Sequence, residues 1–369
     1  MKKALLISNL ARKFTNFIVP SIEVLQQLGY EVHTCANYSN FNDDKSKYDI
    51  TMHNIDFERN PFNFKNIKAY KQLLKLMKEE KFDLVHCNTP IGGLLGRICA
   101  KKMKVSTVIY TAHGFHFYKG APLVNNVLYK NVEKILARDT DVLITMNRED
   151  YEAAQKFKLR KNGKVKLIHG VGIDTCNLKI KDFDKLKYRN EIGLKEDDFV
   201  IIAIGELNKN KNYCTIINSI KLLNSDKIHL LICGIGSEKD NLEKLVQKNN
   251  LDRNVHFLGY RDDIPKLLAI SDLFIQMSYR EGLPRAIMEA MASGLPCIAS
   301  KIRGNIDLVD ENGGILCETT DVQAVSQAII KLVNDEQLRE KMSEYNIEII
   351  KKFDTKNVKN ELLEIYGGI

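Results

Sequence analysis

Two carboxylates lie close together in one short run near the C-terminal third of the chain. Within Ser278 to Pro296, Glu281 precedes a Gly-Leu-Pro turn, and Glu289 follows eight residues later, about two helical turns further along. A turn that opens a helix presents unpaired backbone N–H groups, which favour an anion such as phosphate. One acid can meet a ligand at the start of the helix while the other reaches it from the side.

Ordinary helix packing is the competing interpretation of this run. Pro284 is typical of the start of a helix, and Gly294 followed by proline is typical of a helix end before a strand. Packing explains the helix but gives no reason for an acid in the turn. We therefore favour a functional role for the two acids.

The segment from Gly205 to Lys211, directly after an apolar run, is a second candidate. A glycine at a strand end lets a phosphate approach closely, and Lys211 adds a point charge suited to diphosphate. Taken alone, the segment is better explained as a common strand-turn-helix with a solvated lysine. Its predicted position, on the sheet edge that also receives Glu281 and Glu289, favours the phosphate role.

Three further strand ends could line a nucleotide site. Gly234 ends one strand, but Lys239 stands where the third glycine of a dinucleotide fingerprint belongs, so we expect neither NAD nor FAD. Gly259 ends the next strand, where the backbone could contact a base with Tyr260 or Arg261 close by, and an ordinary β-α turn is an equally good account. The third strand end carries residues that suit phosphate oxygens, namely Arg303, Gly304 and Asn305.

In the N-terminal half, His113 follows a strand and precedes a glycine, which favours a ligand site over a merely exposed histidine. His116 lies nearby, but no third ligand accompanies the pair in the sequence, so the pair is a poor metal site. Asp139 and Asp141 form a D-x-D triplet between a helix and a strand, where such acids usually cap or turn the chain. We therefore predict no metal ligand.

Short apolar runs alternate with longer amphipathic segments along the whole chain. This alternation predicts parallel sheets covered by helices on both faces, and the strands are too many for one sheet. The predicted strands are 4–8, 31–36, 84–87, 107–111, 142–146, 165–168, 199–204, 228–233, 255–257, 273–276 and 297–300. The predicted helices are 17–28, 65–80, 91–102, 123–138, 149–157, 211–223, 238–249, 263–270, 284–293 and 321–333, followed by a final helix over about 336–366.

At 369 residues the chain is long enough for two domains. A charged stretch of little strand character over 174–198 predicts the boundary between them. We expect a doubly wound α/β domain over 1–174, a second over 175–350, and a C-terminal helix over 351–369 that packs back on the first. Two such domains would face across a cleft, with ligands beyond the carboxyl ends of their strands.

The composition, 44% hydrophobic and 28% charged, is that of a globular protein. No apolar run approaches the roughly 18–20 residues that span a bilayer, and the apolar run after Met1 is too short for a signal peptide. The eight cysteines are scattered without C-x-x-C spacing. This usage favours free thiols in a reducing compartment, the cytoplasm.

Positive charge is concentrated in the first half. Residues 1–174 contain 28 Lys and Arg against 17 Asp and Glu, a balance of +11, whereas the remainder carries −3 within the whole chain's +8. Two segments, 59–81 and 115–138, combine lysines with apolar residues. Both could lie on an anionic membrane surface or pack against the N-terminal sheet, and the pattern favours neither. We expect no nucleic-acid partner.

With its two acids, the run from Ser278 to Pro296 closely resembles the signature of the family 4 retaining glycosyltransferases, which adopt the two-domain GT-B fold. The most similar members are bacterial capsule and exopolysaccharide glycosyltransferases. The resemblance extends over nearly the whole chain, through the stretch Asp83 to Pro90, His113-Gly, Gly170 to Asp174, Gly205 with Lys211, and Gly304-Asn305.

The resemblance implies roles for the residues of this run. Glu289 would bind the ribose hydroxyls of a UDP-sugar donor. Glu281, with the backbone of Gly282 and Leu283, would hold the donor sugar and the diphosphate.

Other implied roles lie outside the run. Lys211 would neutralise the departing diphosphate, and His113 would contact the donor sugar near the reacting carbon. The implied reaction moves a hexose or N-acetylhexosamine to a saccharide acceptor on a polyprenyl diphosphate, with retention and without a cofactor or metal. The enzyme would work in the cytoplasm at the inner face of the membrane.

Two positions depart from the family pattern. Many relatives carry arginine where this chain has Glu206, so either Lys209, Arg280 or Arg303 supplies the charge or the phosphate contacts differ. The loop over 8–13 lacks the glycines that many relatives have there. A sugar-nucleotide epimerase of the same fold and an inactive sugar-nucleotide-binding protein are the alternatives, and the intact pair of acids disfavours the second.

Overall fold

Parallel strands alternate with helices along the chain, as the sequence predicts. The computed structural model describes residues 1–61, 63–178, 180 and 183–369. The strands are β1 (Lys2–Leu10), β2 (Tyr30–Asn37), β3 (Thr51–Asn54), β4 (Leu84–Asn88), β5 (Thr107–Ala112), β6 (Val142–Thr145), β7 (Lys164–Leu167), β8 (Phe199–Ile204), β9 (Ile228–Cys233), β10 (Val255–Gly259), β11 (Leu273–Gln276), β12 (Cys297–Ser300) and β13 (Gly314–Cys317). The α-helices are α1 (Val19–Gln27), α2 (Lys65–Glu80), α3 (Pro90–Met103), α4 (Leu123–Ala137), α5 (Arg148–Ala154), α6 (Lys185–Glu191), α7 (Tyr213–Leu223), α8 (Lys239–Lys248), α9 (Ile264–Ala269), α10 (Arg285–Ala292), α11 (Val322–Asn334), α12 (Glu336–Ile349) and α13 (Thr355–Gly367).

These elements form two compact units, each built around one sheet. The N-terminal unit comprises Met1–Gly172 together with Thr355–Ile369, and the C-terminal unit comprises Ile173–Asp354. The first sheet has the order β3-β2-β1-β4-β5-β6-β7, and the second has the order β10-β9-β8-β11-β12-β13. All the strand pairs found among the described residues are parallel. The fold class is therefore α/β with two doubly wound, Rossmann-like domains, which confirms the prediction.

Helices cover both faces of each sheet, so the central strands are buried on both sides. The strands β4, β9, β11 and β12 are buried along their whole length. Successive side chains of β8 point to opposite faces: Ile201 and Ala203 join one apolar core, whereas Val200 and Ile202 join another. This double burial explains why the strands read as continuous apolar runs.

Each sheet has one point where the strand order reverses. This point lies between β1 and β4 in the N-terminal unit and between β8 and β11 in the C-terminal unit. In open α/β sheets, ligands bind beyond the carboxyl ends of the strands at such a point. The loops after these four strands are therefore the first places to look for a site.

Three short elements were not predicted. The strands β3 and β13 are edge strands of four residues, and β3 has no buried residue that would give it an apolar pattern. The helix α6 lies in the charged stretch over 174–198, and no residue of it is fully buried. Asp184 caps its start by accepting a hydrogen bond from the Lys187 N–H.

The prediction of one final helix over 336–366 is wrong, because the helix is interrupted. A 3₁₀ turn over Ile350–Phe353 follows α12, and Asp354 is extended before α13 begins. The Asp354 carboxylate accepts a hydrogen bond from the Thr175 hydroxyl at 2.6 Å, and the Phe353 carbonyl accepts one from the Ile173 N–H at 3.0 Å. Both partners are distant in sequence, so local helix propensity does not reveal the break.

The terminal helix α13 packs against α1 in the N-terminal unit. Its buried Tyr366 places the hydroxyl oxygen 2.7 Å from Nδ1 of His86, and Nε2 of the same ring lies 2.7 Å from Thr111 Oγ1. Burial lowers the pKa of His86 to about 3, so the ring is neutral near neutral pH. The histidine therefore links α13 to β4 and β5 without a buried charge.

Tyr366→Phe is expected to leave a buried nitrogen of His86 without its partner. The free energy of unfolding of the N-terminal unit should fall by about 1–3 kcal/mol, the usual penalty for an unsatisfied buried polar group. Urea unfolding followed by circular dichroism measures the change. Tyr30→Phe is the control, because the Tyr30 hydroxyl has no hydrogen-bond partner among the described residues. Equal losses in the two variants would contradict the assignment.

Candidate active site

The run from Ser278 to Pro296 folds into a turn followed by α10. Pro284 occupies the N-cap position, and no side chain caps this end of the helix. The N–H groups of the first helical turn have no partner within the helix, so they remain available to a ligand or to water. The helix dipole adds a partial positive charge at the same place, which favours an anion.

Lys211 and Glu281 make the central side-chain contact of the site. The Lys211 Nζ lies 2.7 Å from Glu281 Oε1, and the two side chains are only 19% and 14% exposed. Lys211 belongs to a 3₁₀ turn after β8, whereas Glu281 lies in the loop after β11. These strands are neighbours at the reversal of the strand order, which brings together two residues far apart in the chain. An ammonium group has three donors, so Lys211 can hold the carboxylate and an anionic ligand together.

The loops around this pair approach so closely that two positions require glycine. A Cβ at Gly234 would lie 1.9 Å from the Gly205 carbonyl oxygen, and a Cβ at Gly304 would lie 2.3 Å from the Gly282 carbonyl oxygen. Gly304 also has a φ of +82°, which other residues rarely adopt. Four predicted site residues therefore meet through their backbones.

Three of these glycines, Gly205, Gly234 and Gly304, already have a partner for the backbone N–H. Gly205 donates to the Cys233 carbonyl at 2.9 Å, and Gly234 donates to the Gly259 carbonyl at 2.8 Å. Gly205 and Gly234 thus allow close packing of the loops rather than offering donors to phosphate.

A second cation joins the site from the segment after β12. Arg303 is buried, and its Nε donates to the Glu281 carbonyl oxygen at 3.2 Å. Lys209 and Arg280, the other cations expected to compensate for Glu206, are exposed, and so is Glu206 itself. Among Lys209, Arg280 and Arg303, it is Arg303 whose side chain forms a hydrogen bond with the backbone of Glu281.

Glu289 lies on α10 and is 17% exposed. Its Oε1 accepts from the Nε of Arg285 at 2.7 Å, one helical turn earlier. The ion pair orients the carboxylate along the helix surface. No hydrogen bond joins Glu289 to Glu281 among the described residues.

The remaining predicted residues divide between structure and surface. Asn305 is fully buried, and its Nδ2 donates to the Ser300 carbonyl at 2.9 Å, so the side chain holds the loop. The Gly304 N–H donates to the Asp307 carboxylate at 3.2 Å. Tyr260 is 62% exposed and free to contact a planar group. Leu283 is half-buried and packs against the core beneath α10.

Two polar residues of the site, Gln276 and Asn210, were missed in the sequence. Gln276, the last residue of β11, donates from Nε2 to Glu281 Oε1 at 3.3 Å, and Asn210 donates from Nδ2 to the Arg280 carbonyl at 2.9 Å. The buried Gln276 Oε1 and Ser278 Oγ have no hydrogen-bond partner within the described part of the chain. A polar residue at the end of an apolar strand signals Gln276, whereas nothing local signals Asn210.

In the N-terminal unit, His113 lies directly after β5. Its Nε2 is 3.2 Å from Oδ1 of Asn88, the last residue of β4, and its ring contacts that of Phe17. Because an amide oxygen only accepts, Nε2 carries the proton and Nδ1 is an acceptor. Nδ1 has no partner among the described residues, and neither does Asn88 Nδ2. Burial lowers the pKa of His113 to about 4, so the ring is neutral near neutral pH.

Asp139 and Asp141 have structural partners, since they pair with Lys101 at 3.0 Å and with Arg160 at 2.9 Å. No group of three or more His, Cys, Asp or Glu residues in the described ranges is arranged to hold a metal ion. Within the same ranges, no helix has both the length and the apolarity needed to cross a bilayer.

Comparison with known proteins covers both units. Residues 3–147 match the family model for glycosyl transferase 4-like proteins, and residues 184–349 match the model for glycosyl transferases group 1. The chain is 34% identical over 373 residues to the putative glycosyltransferase EpsD of Bacillus subtilis (strain 168), covering 100% of this chain and 97% of that protein. The chain belongs to the glycosyltransferases that these two family models describe.

Two further relatives are informative about sequence and fold. The glycosyltransferase is 32% identical over 315 residues to the Escherichia coli UDP-Gal:alpha-D-GlcNAc-diphosphoundecaprenol alpha-1,3-galactosyltransferase, covering 84% of this chain and 81% of the relative. The crystal structure of Anabaena Alr3699/HepE in complex with UDP-glucose matches over 100% of both chains, with a TM-score of 0.82 and 20% identity. The two Rossmann-like domains are thus those of the GT-B fold, as the sequence resemblance implied.

We expect His113 of this glycosyltransferase to stay neutral, as the Nε2–H tautomer, from about pH 8 to pH 5, because its folded pKa of about 4 lies below the ordinary value near 6.5. Its contribution to stability is complete above the unfolded pKa and is lost as the pH falls through 6.5 towards 4. Nitrogen NMR of the imidazole measures both charge and tautomer.

Asn88→Ala provides the matching variant, since it removes the acceptor that selects the tautomer. The variant should show a mixture of the two neutral forms. A wild-type His113 that titrates near its ordinary pKa would contradict the assignment.

Proposed function

We propose that the protein transfers a hexose or N-acetylhexosamine from a UDP-sugar to a saccharide on a polyprenyl diphosphate, with retention of configuration, in bacterial polysaccharide synthesis. The observation that carries this proposal is the pair of Lys211 and Glu281 at the uncapped start of α10. The two side chains come from adjacent loops. Lys211 offers a cation to a diphosphate, and Glu281 offers a carboxylate to sugar hydroxyls. Two similar proteins support the substrate classes: the Escherichia coli relative is a UDP-Gal:alpha-D-GlcNAc-diphosphoundecaprenol galactosyltransferase, and the Anabaena protein was crystallised with UDP-glucose.

The donor diphosphate would lie against Lys211, Arg303 and the first turn of α10. Negative charge grows on the diphosphate as the bond to the sugar breaks, and fixed positive groups stabilise it without reorganisation. Glu289 would accept hydrogen bonds from the ribose hydroxyls, and Tyr260 would lie near the base. The cationic side chains and the helix N–H groups would balance the negative charge of the diphosphate. We therefore propose that no metal is required.

In the proposed reaction, the bond from the anomeric carbon to the diphosphate breaks while the acceptor oxygen bonds to that carbon on the same face. The acceptor hydroxyl passes its proton to the departing phosphate oxygen. Glu281 would hold hydroxyls of the donor sugar. The unprotonated Nδ1 of His113 would accept a hydrogen bond from a hydroxyl of the same sugar near the reacting carbon. A neutral imidazole suits this role because it adds no positive charge beside the sugar.

We also propose that the enzyme works at the cytoplasmic face of the membrane, where a polyprenyl-linked acceptor is anchored. The excess of +11 in residues 1–174 supports this location, because anionic lipid attracts basic surfaces.

The direct test is incubation of the pure protein with UDP-sugars and a polyprenyl-diphosphate-linked saccharide. We expect UDP release only when the acceptor is present, and an anomeric proton coupling in the product that shows the configuration of the donor. UDP release without an acceptor, together with a changed sugar, would indicate an epimerase. Absence of transfer with every donor and acceptor, despite tight UDP binding, would overturn the proposal.

Lys211→Ala should weaken binding of UDP by about 10- to 100-fold, the scale expected for losing a charged hydrogen bond of about 1.5–3 kcal/mol. Isothermal titration calorimetry measures the affinity. Lys221→Ala is the control, since Lys221 lies near the far end of α7, where its Nζ bonds to Asn249. Unchanged UDP affinity in Lys211→Ala would contradict the phosphate assignment.

Glu289→Ala should lower kcat/KM by at least about 100-fold, because two hydrogen bonds from ribose to a carboxylate would be lost. Folding should be intact, as judged by circular dichroism and Tm. Glu243→Ala on α8 removes a comparable carboxylate, paired with Lys239 one turn away, and should leave kcat/KM unchanged. Normal turnover in Glu289→Ala would sink the assignment.

A further inference from the structure

Strand β11 ends in a polar residue that the packing of the strand does not require. Its first three residues, Leu273, Phe274 and Ile275, are fully buried and belong to the apolar cores on the two faces of the sheet. Gln276 continues the strand and is only 4% exposed. Burying an amide costs free energy unless its polar atoms are hydrogen-bonded, whereas an apolar side chain of comparable size carries no such cost. The amide therefore has a role other than packing.

The amide of Gln276 is hydrogen-bonded at its nitrogen and not at its oxygen. Nε2 lies 3.3 Å from Glu281 Oε1, and the buried Oε1 of Gln276 has no partner among the described residues. The hydrogen-bond network assigns the nitrogen to this contact, because the reverse orientation would set two acceptor oxygens against each other. Donation to Glu281 thus fixes the direction of the amide and leaves its oxygen unsatisfied.

This arrangement of Gln276 lowers the stability of the fold, since a buried acceptor without a partner is destabilising. A residue that breaks the local pattern at such a cost is typical of a functional site. Gln276 lies at the carboxyl end of β11, where the strand order reverses, and its amide donates to a carboxylate for which we propose contact with the donor sugar. Its position and its partner both indicate a role in the reaction.

The two oxygens of the Glu281 carboxylate have different surroundings. Oε1 accepts hydrogen bonds from Lys211 Nζ at 2.7 Å and from Gln276 Nε2 at 3.3 Å. Oε2 accepts no hydrogen bond within the part of the chain that the structure describes. Two donors on one oxygen restrict rotation of the carboxylate and leave the other oxygen available to a hydroxyl of a ligand. A group that is restrained before the ligand arrives loses less entropy when the ligand binds.

Lys211 by itself is a poor restraint for this carboxylate. Its ammonium group is also the cation that we propose for the diphosphate, whose negative charge grows as the bond to the sugar breaks. The ammonium lies on a flexible stem and can move towards the phosphate. Gln276 is neutral and buried, and it belongs to the strand rather than to a loop. Its hydrogen bond to Glu281 therefore does not depend on the charge of the ligand.

We propose that Gln276 is a positioning residue for the transfer reaction, holding the Glu281 carboxylate so that Oε2 faces the hydroxyls of the donor sugar. This role rests on the proposed function, which places the donor sugar against Glu281. Gln276 acts on the sugar through that carboxylate, while the diphosphate depends on Lys211, Arg303 and the start of α10. Loss of the amide should therefore affect the sugar and spare the nucleotide.

Gln276→Leu removes the amide and keeps an apolar side chain of comparable size at the end of β11. The variant should bind UDP as tightly as the wild type, because the contacts with the diphosphate are intact. Its affinity for a UDP-sugar should fall by about 5- to 10-fold, the scale expected for one lost hydrogen bond. Calorimetry without an acceptor measures both affinities. The probes are UDP-glucose, UDP-galactose and their N-acetylhexosamine counterparts, and the comparison uses the one that the wild type binds most tightly.

Gln72→Leu is the matched control. Gln72 lies on α2 in the other unit and donates from Nε2 to Asp56 Oδ2 at 3.1 Å, so this variant also loses a hydrogen bond from an amide to a carboxylate. It should bind UDP and the UDP-sugar as the wild type does. Tm shows that each variant is folded, and Gln276→Met replaces Gln276→Leu if the latter does not fold. Equal weakening of UDP and UDP-sugar binding by the folded variant would indicate a merely structural role and overturn the proposal, and so would unchanged affinity for both.

A double-mutant cycle with Glu281→Ala tests whether Gln276 acts through the carboxylate. When the carboxylate is absent, Gln276→Leu should cause no further loss of UDP-sugar affinity, because the two residues act as one unit. An equal loss with and without Glu281 would show that Gln276 affects the sugar by another route, and it would overturn the positioning role.

Transfer assays on the same proteins separate this role from the proposed function. Gln276→Leu should lower kcat/KM by at least about fivefold, whereas Gln72→Leu should leave it unchanged. An active wild type with an equally active Gln276→Leu variant would reject the role of Gln276 and leave the proposed function standing. Selective loss of UDP-sugar affinity in Gln276→Leu, without transfer by the wild type to any acceptor, would support the role of Gln276 and contradict the proposed function.

Discussion

The contact between Lys211 and Glu281 depends on two strands that end side by side. β8 and β11 are distant in the chain but adjacent in the sheet, because the strand order reverses between them. Close glycine contacts then bring the loops after β9 and β12 against the same place, and Arg303 becomes a second cation there. The pair is partly buried, and its 2.7 Å separation is that of a charge-assisted hydrogen bond. The other groups of the site are arranged around this contact.

The two units differ in how they treat charge. The C-terminal unit gathers cations and a helix start around carboxylates, which suits a donor with a charged leaving group. At the carboxyl ends of β4 and β5 in the N-terminal unit, burial instead keeps His86 and His113 uncharged, and a largely apolar cavity lies beyond the same strands. This division fits the transfer proposed above, from a charged nucleotide to a lipid-linked acceptor.

Most of the fold could be predicted from local pattern, and the failures have two separate physical causes. Buried central strands read as apolar runs because both faces are covered, so their positions follow from the sequence. β3 is a half-exposed edge strand without such a run, and it was missed. The break at Asp354 was missed as well, because its partners Ile173 and Thr175 come from another part of the chain.

The sequence by itself determined the residue types of the site, the turn before α10 and the order of the glycines, since each depends on neighbours within a few positions. Only the tertiary structure decided which groups meet: that Gln276 joins Glu281, that Arg303 rather than Lys209 lies against its backbone, and that α4 borders an apolar cavity. The physical reason is that such contacts follow from strand order and loop packing, which local periodicity does not encode. The run with two acids thus identified the family, while its partners became visible only in the folded chain.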